Sequence, residues 1–192
     1  LFVFSDEVYR HLNFDSDEIF SIATLPGMKE RTLIIDSVSK SFAMTGFRVG
    51  FATGPVHLIE LMTKCVENVY SAVATPSQYA ALVAFDKGME AMMAMKKEYK
   101  KRRDFLVSRI NEMDKISCIM PKGAFYVFAN IKKTGLSAEE FAERLLEKEH
   151  VAVIPGSNFS KNASGYVRIS YGTSMEKIED GLNRMERFLK SL

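Results

Sequence analysis

The chain has 192 residues, room for one large domain or two small ones, and 47% of them are hydrophobic, enough for a buried core. A formal net charge of +2 gives no electrostatic ground for binding nucleic acid, and no apolar run approaches the ~20 residues of a membrane span. Cys65 and Cys118 stand far apart, and His11, His57 and His150 show no ligand spacing, so neither a disulfide nor a metal site is expected.

Leu1 to Ser5 reads as a buried strand ending at Asp6, too short and too poor in flanking basic residues for a secretory leader. Ile19 to Pro26 is loop with a turn of helix. Thr32 to Asp36 and Arg48 to Thr53 are two further strands, the latter closed by Gly54-Pro55. Continuous apolar runs of this length suit strands covered on both faces, as in a parallel sheet. Pro55 to Tyr70 is helical, with Leu58, Leu61, Met62 and Cys65 on one stripe. Both cysteines read as buried small hydrophobes of a reducing compartment. Thr75-Pro76-Ser77 opens another helix, with proline near its start. Lys87 to Met113 reads as one long helix, in which Met89, Met92, Met93 and Met95 fill a core. Its basic run, Lys96, Lys97, Lys100, Lys101, Arg102 and Arg103, reads as a solvated face.

From Ile116 the pattern changes. Ile116 to Met120 and Ala124 to Ile131 are strands about the turn Pro121-Lys122-Gly123. Ser137 precedes a helix with Glu140 three residues on, a capping-box spacing. Val151 to Ile154 and Tyr166 to Tyr171 are strands. Ser174 starts the last helix, with Ile178, Leu182, Met185 and Leu189 on one face. These elements make a compact α/β unit.

The stretch Ser37-Val38-Ser39-Lys40-Ser41-Phe42-Ala43-Met44-Thr45-Gly46-Phe47-Arg48-Val49-Gly50 concentrates chemistry. It sets one lysine among small residues after an apolar strand, with a fixed cation eight residues on. A nucleophilic lysine needs a partly desolvated, cation-flanked place, and an anionic ligand needs arginine and hydroxyl donors. Asp6 and Tyr9 form a second constellation. If the strand ends at Asp6 and the chain then turns, both side chains can address one ligand. Asp6 and Lys40 both follow apolar runs, which puts them outside the carboxyl ends of strands, where wound α/β sheets bind ligands.

In the lysine stretch, small residues, Ala-Met-x-Gly, an aromatic, arginine, an aliphatic and glycine fall in register. The stretch resembles the pyridoxal-phosphate lysine site of the class I aminotransferases, those similar to aspartate aminotransferase, and the resemblance covers essentially the whole chain. It implies fold type I: residues 1–86 as the C-terminal part of a large wound-sheet domain, 87–115 as a bridging helix and 116–192 as a small α/β domain. It implies that Lys40 holds pyridoxal 5'-phosphate as an imine and then carries the proton. By the same resemblance Asp6 meets the pyridine nitrogen, Tyr9 the phenolic oxygen, and Ser37 and Arg48 the phosphate. Arg168, in Tyr166-Val167-Arg168-Ile169-Ser170, would hold the substrate α-carboxylate, with the turns around Tyr126 and Phe159 shaping the pocket. The substrates implied are an amino acid and a 2-oxo acid, and the protein implied is a cytoplasmic homodimer.

The chain opens without Met in what reads as mid-strand, so the sequence is expected to be the C-terminal portion of a longer enzyme and inactive alone. The same lysine site suits a carbon–sulfur lyase, and the same fold suits the sensor domain of a transcriptional regulator or an inert fragment. The lysine motif does not separate these.

Overall fold

A computed structural model describes residues 1–16 and 18–192. The chain divides into two compact units, Leu1–Lys96 and Lys97–Leu192, and the division falls inside one long helix.

In the first unit β1 (Val3–Asp6), β2 (Thr32–Ser37) and β3 (Gly50–Thr53) form a sheet in that order. β1 runs parallel to β2, with Asp6 beside Ile35. β3 is antiparallel to β2, with Ser37 beside Gly50. The expectation of parallel strands holds for β1 with β2 and is corrected for β3. Phe4 is 72% exposed and Phe51 42%, so parts of this sheet lie uncovered in the chain; an apolar run reports strand character but not strand direction. The turn after β3 lies close on β2: a Cβ at Gly54 would stand 2.8 Å from the Thr32 carbonyl oxygen, so only glycine fits.

Four helices follow: α1 (Val38–Ser41), α2 (Val56–Val69), α3 (Thr75–Lys87) and α4 (Met89–Glu112). Pro76 sits in the first turn of α3, and Gly88 separates α3 from α4. α2 turns Leu58, Ile59, Met62 and Val66 inward and leaves Leu61 and Cys65 exposed. Cys65 is thus not the buried hydrophobe the stripe implied, because the stripe is wider than the surface that covers it. Of the methionines expected in a core, Met92 is buried and Met89 and Met93 are exposed.

The second unit has a sheet in the order β4 (Ser117–Cys118), β5 (Tyr126–Asn130), β7 (Tyr166–Ser170) and β6 (Ile154–Pro155), all neighbours antiparallel. α5 (Ala138–Glu149) starts in a complete capping box. The Glu140 amide donates to Ser137 Oγ at 3.2 Å, and the Ser137 amide donates to Glu140 Oε2 at 2.9 Å. α6 (Met175–Lys190) is capped by Ser174 and buries Ile178, Leu182, Met185, Phe188 and Leu189. Val127, Ala129 and Val167 are buried on one face of the sheet, and Phe141 of α5 meets Phe188 of α6 edge-on at 5.3 Å. Burial raises the pKa of the Tyr171 hydroxyl, which donates to the Ala124 carbonyl, and pushes the Cys118 thiol up to about 11.

Arg103 corrects the reading of the basic run. It is only 5% exposed, donates to the Pro121 carbonyl at 2.9 Å and pairs with Asp104. Its neighbours Lys97, Lys100 and Lys101 are exposed.

Candidate functional site

In the first unit the carboxyl ends of β1 and β2 lie side by side, because the parallel register aligns Asp6 with Ile35. β1 stops at Asp6: the Glu7 amide donates to the Ile35 carbonyl at 2.8 Å, and the Val8 amide turns back to Asp6 Oδ1 at 3.2 Å. Tyr9 then caps a 3₁₀ turn, Arg10–Leu12. β2 stops at Ser37, whose hydroxyl accepts the Ser39 amide at 3.2 Å and starts the single turn α1. That turn carries Lys40, half-buried, with Nζ 5.9 Å from the centre of the Tyr9 ring. Arg48 is exposed in the left-handed region, φ 55° and ψ 45°, and donates to the Thr45 carbonyl at 2.8 Å.

Asp6, Ser37 and Arg48 line one open cavity of about 640 Å³, walled by Ile59, Met62 and Val66 of α2. An adjoining hollow of about 670 Å³ adds Ser39, Gly46 and Ser77 to Ser37 and Arg48. A carboxylate, a guanidinium and hydroxyls thus share one wall. That donor set suits a ligand that is anionic at one end and accepts or donates a proton at the other.

Two residues that sequence reasoning did not assign hold this arrangement. Asp36 is 3% exposed; Oδ1 accepts the Ser37 amide at 2.7 Å and Oδ2 stands 3.2 Å from Arg10 Nε. Burial raises its pKa above the usual carboxylate range, while the Ser37 amide and Arg10 pull it back. Arg10 also approaches Glu7, whose Oε1 accepts the Ser21 hydroxyl at 2.5 Å. Arg10 therefore ties the turn capped by Tyr9 to the end of β2. The only signal in the sequence is a charged residue closing an apolar run.

Arg168 belongs to the second unit. It stands in β7 opposite Phe128 of β5 and Ile154 of β6. The alternation of the strands puts it on the face away from the buried Val167. Its Cζ lies 4.4 Å from the Tyr126 ring centre and 4.6 Å from that of Phe159. Among the described residues no group of three His, Cys, Asp or Glu side chains could hold a metal ion, and no helix is long and apolar enough to cross a membrane.

The family model for aminotransferase class I and II matches residues 1–185. The chain is 46% identical to an aspartate aminotransferase of Pyrococcus abyssi, over 99% of this chain and 49% of that protein. It is 43% identical to aromatic-amino-acid aminotransferase 2 of Thermococcus litoralis, over 99% of this chain and 49% of that one. The crystal structure of an aromatic aminotransferase from Pyrococcus horikoshii superposes with a TM-score of 0.95 at 46% identity, covering 100% of this chain and 52% of that chain. The chain spans about half the length of the curated relatives it matches.

Proposed function

Given that this chain belongs to the class I and II aminotransferases, we propose that its protein moves an amino group from an amino acid to a 2-oxo acid with pyridoxal 5'-phosphate. The observation that carries the reading is the cavity lined by Asp6, Ser37 and Arg48, whose last two residues flank Lys40 in the sequence.

The residues fit this cofactor. A phosphate ester asks for a guanidinium and hydroxyl donors, which Arg48 and Ser37 supply on one wall. A pyridine nitrogen kept protonated asks for a carboxylate, which Asp6 supplies on the same cavity. When bound, the cofactor supplies an electron sink for negative charge developing at the substrate α-carbon. Lys40 would supply the amine that holds the cofactor and would move the proton at the substrate α-carbon as base and then acid. Tyr9, whose ring centre lies 5.9 Å from Lys40 Nζ, would donate its hydroxyl to the cofactor's ring oxygen. Arg168 takes the substrate α-carboxylate through its paired donors. We also place the protein in the cytoplasm as a homodimer; the exposed free thiol of Cys65 supports a reducing compartment.

Borohydride reduction of the holoprotein, followed by peptide mapping, tests the reading. The pyridoxyl group is expected on Lys40, and Lys40→Ala is expected to abolish labelling and lower amino transfer by at least about 10³-fold. Labelling at another lysine would end it.

A further inference from the structure

A half-buried guanidinium in the second unit has aromatic neighbours and no acid. Arg168 lies over the rings of Tyr126 and Phe159, and among the described residues no carboxylate or carbonyl accepts from it. Arginine carries five donors in a rigid fork, and aromatic rings attract the cation without consuming them. Tyr126 comes from β5, two residues before Phe128 on the same face, and Phe159 follows the 3₁₀ turn Gly156–Asn158. Phe128 steadies the arrangement, edge-on to Phe159 at 5.9 Å and stacked on Tyr166 at 5.9 Å.

A long side chain on an outer sheet face would otherwise sample several rotamers, and a ligand would have to still it. We propose that Tyr126 and Phe159 are positioning residues that hold the Arg168 guanidinium by cation–π contact and keep its donors free for a ligand carboxylate. This deepens the role given to Arg168 above and rests on it. The rings touch the arginine rather than a side-chain pocket, so their loss acts alike on every substrate that offers the same carboxylate.

The test uses the holoprotein expressed from its full reading frame. The probe is 3-phenylpropanoate, which has the carboxylate of an amino acid and no amine, with 3-phenylpropanamide as its neutral counterpart. Calorimetry follows binding to wild type, Arg168→Lys, Tyr126→Leu, Phe159→Leu and the ring-keeping pair Tyr126→Phe and Phe159→Tyr. Each leucine variant is expected to weaken the acid by about three- to tenfold, and the ring-keeping variants by less than about twofold. Binding of the amide stays level throughout. KM rises for all amino acids together while kcat holds, the mark of lost uniform binding. Leucine variants that bind the acid like wild type, while Arg168→Lys weakens it, overturn the clamp alone. An Arg168→Lys protein that also binds like wild type removes the carboxylate role of Arg168 and the clamp with it. Phe159 is half exposed, so Phe159→Leu opens no core cavity and gives an answer even if Tyr126→Leu does not fold.

Discussion

Among the described residues, six apolar side chains are buried in Leu1–Lys96 and nineteen in Lys97–Leu192. The exposed large hydrophobics run the other way, eighteen against six. The second unit closes its sheet with α5 and α6 and carries its own core. The first presents Phe2, Phe4, Phe51 and much of α2 and α3 to solvent, more apolar surface than a free-standing domain normally shows. Yet the first unit holds Asp6, Tyr9, Ser37, Lys40 and Arg48. Its chemical groups are fixed less by packing than by short polar links: Asp36 to the Ser37 amide, Arg10 to Asp36, Glu7 to Ser21. The two halves teach different routes to a fixed side chain, one by burial and one by bracing.

The sharpest test of that contrast is stability. Phe188 is fully buried against Phe141, so Phe188→Ala should cost about 3–5 kcal/mol, while Phe4→Ala should stay within about 0.5 kcal/mol. Urea unfolding followed by circular dichroism reads both. Equal losses would mean that Phe4 is covered in the working protein and that the contrast belongs to the isolated chain.

Chemistry tests it next. Asp6→Asn keeps the shape of the cavity wall and removes its charge. Turnover should fall at least about 10²-fold with the melting temperature unmoved. Turnover near wild type would give Asp6 another task.

The smallest effect is a pH dependence confined to the first unit. Burial first, then Arg10 and Lys96, lower the pKa of His11 from 6.5, with Asp36 opposing. The folded unit therefore binds fewer protons there than the unfolded chain. This contribution to stability is complete above 6.5 and is lost as pH falls through the lowered value. Asp36 works in the opposite sense further down: its raised pKa costs stability above that pKa, and the cost fades below the ordinary carboxylate range. His11→Gln should flatten the fall in stability between about pH 7 and 5, by less than about 1 kcal/mol since the ring is partly exposed. An unchanged slope would show that His11 does not report on the brace.

Local chemistry made part of this legible in advance. Ser137 with Glu140, and Ser174 followed by Ile178, Leu182, Met185 and Leu189, needed only spacing along one helix, and both stand as read. The strand end at Asp6 was visible for the same reason. What failed depended on partners remote in sequence. Cys65, Met89 and Met93 are exposed, although Met62 on the same stripe as Cys65 is half-buried and Met92 beside the other two is buried. Arg103 is buried because the Pro121 carbonyl meets it, and a run of charges carries no trace of that. Tyr126 was visible as a pocket residue, but its contact with Arg168 depends on the register of β5 against β7, which no single strand encodes.

Arg48 sets two demands on one codon. Its backbone sits at φ 55°, a conformation natural to glycine and costly by roughly 1 kcal/mol for a residue with a Cβ. Glycine there would relax the turn and erase the guanidinium. On the role proposed for Arg48, selection for anion capture would hold arginine here, whereas the backbone geometry alone would accept glycine. Backbone ease and the proposed anion contact thus pull this one position toward different residues.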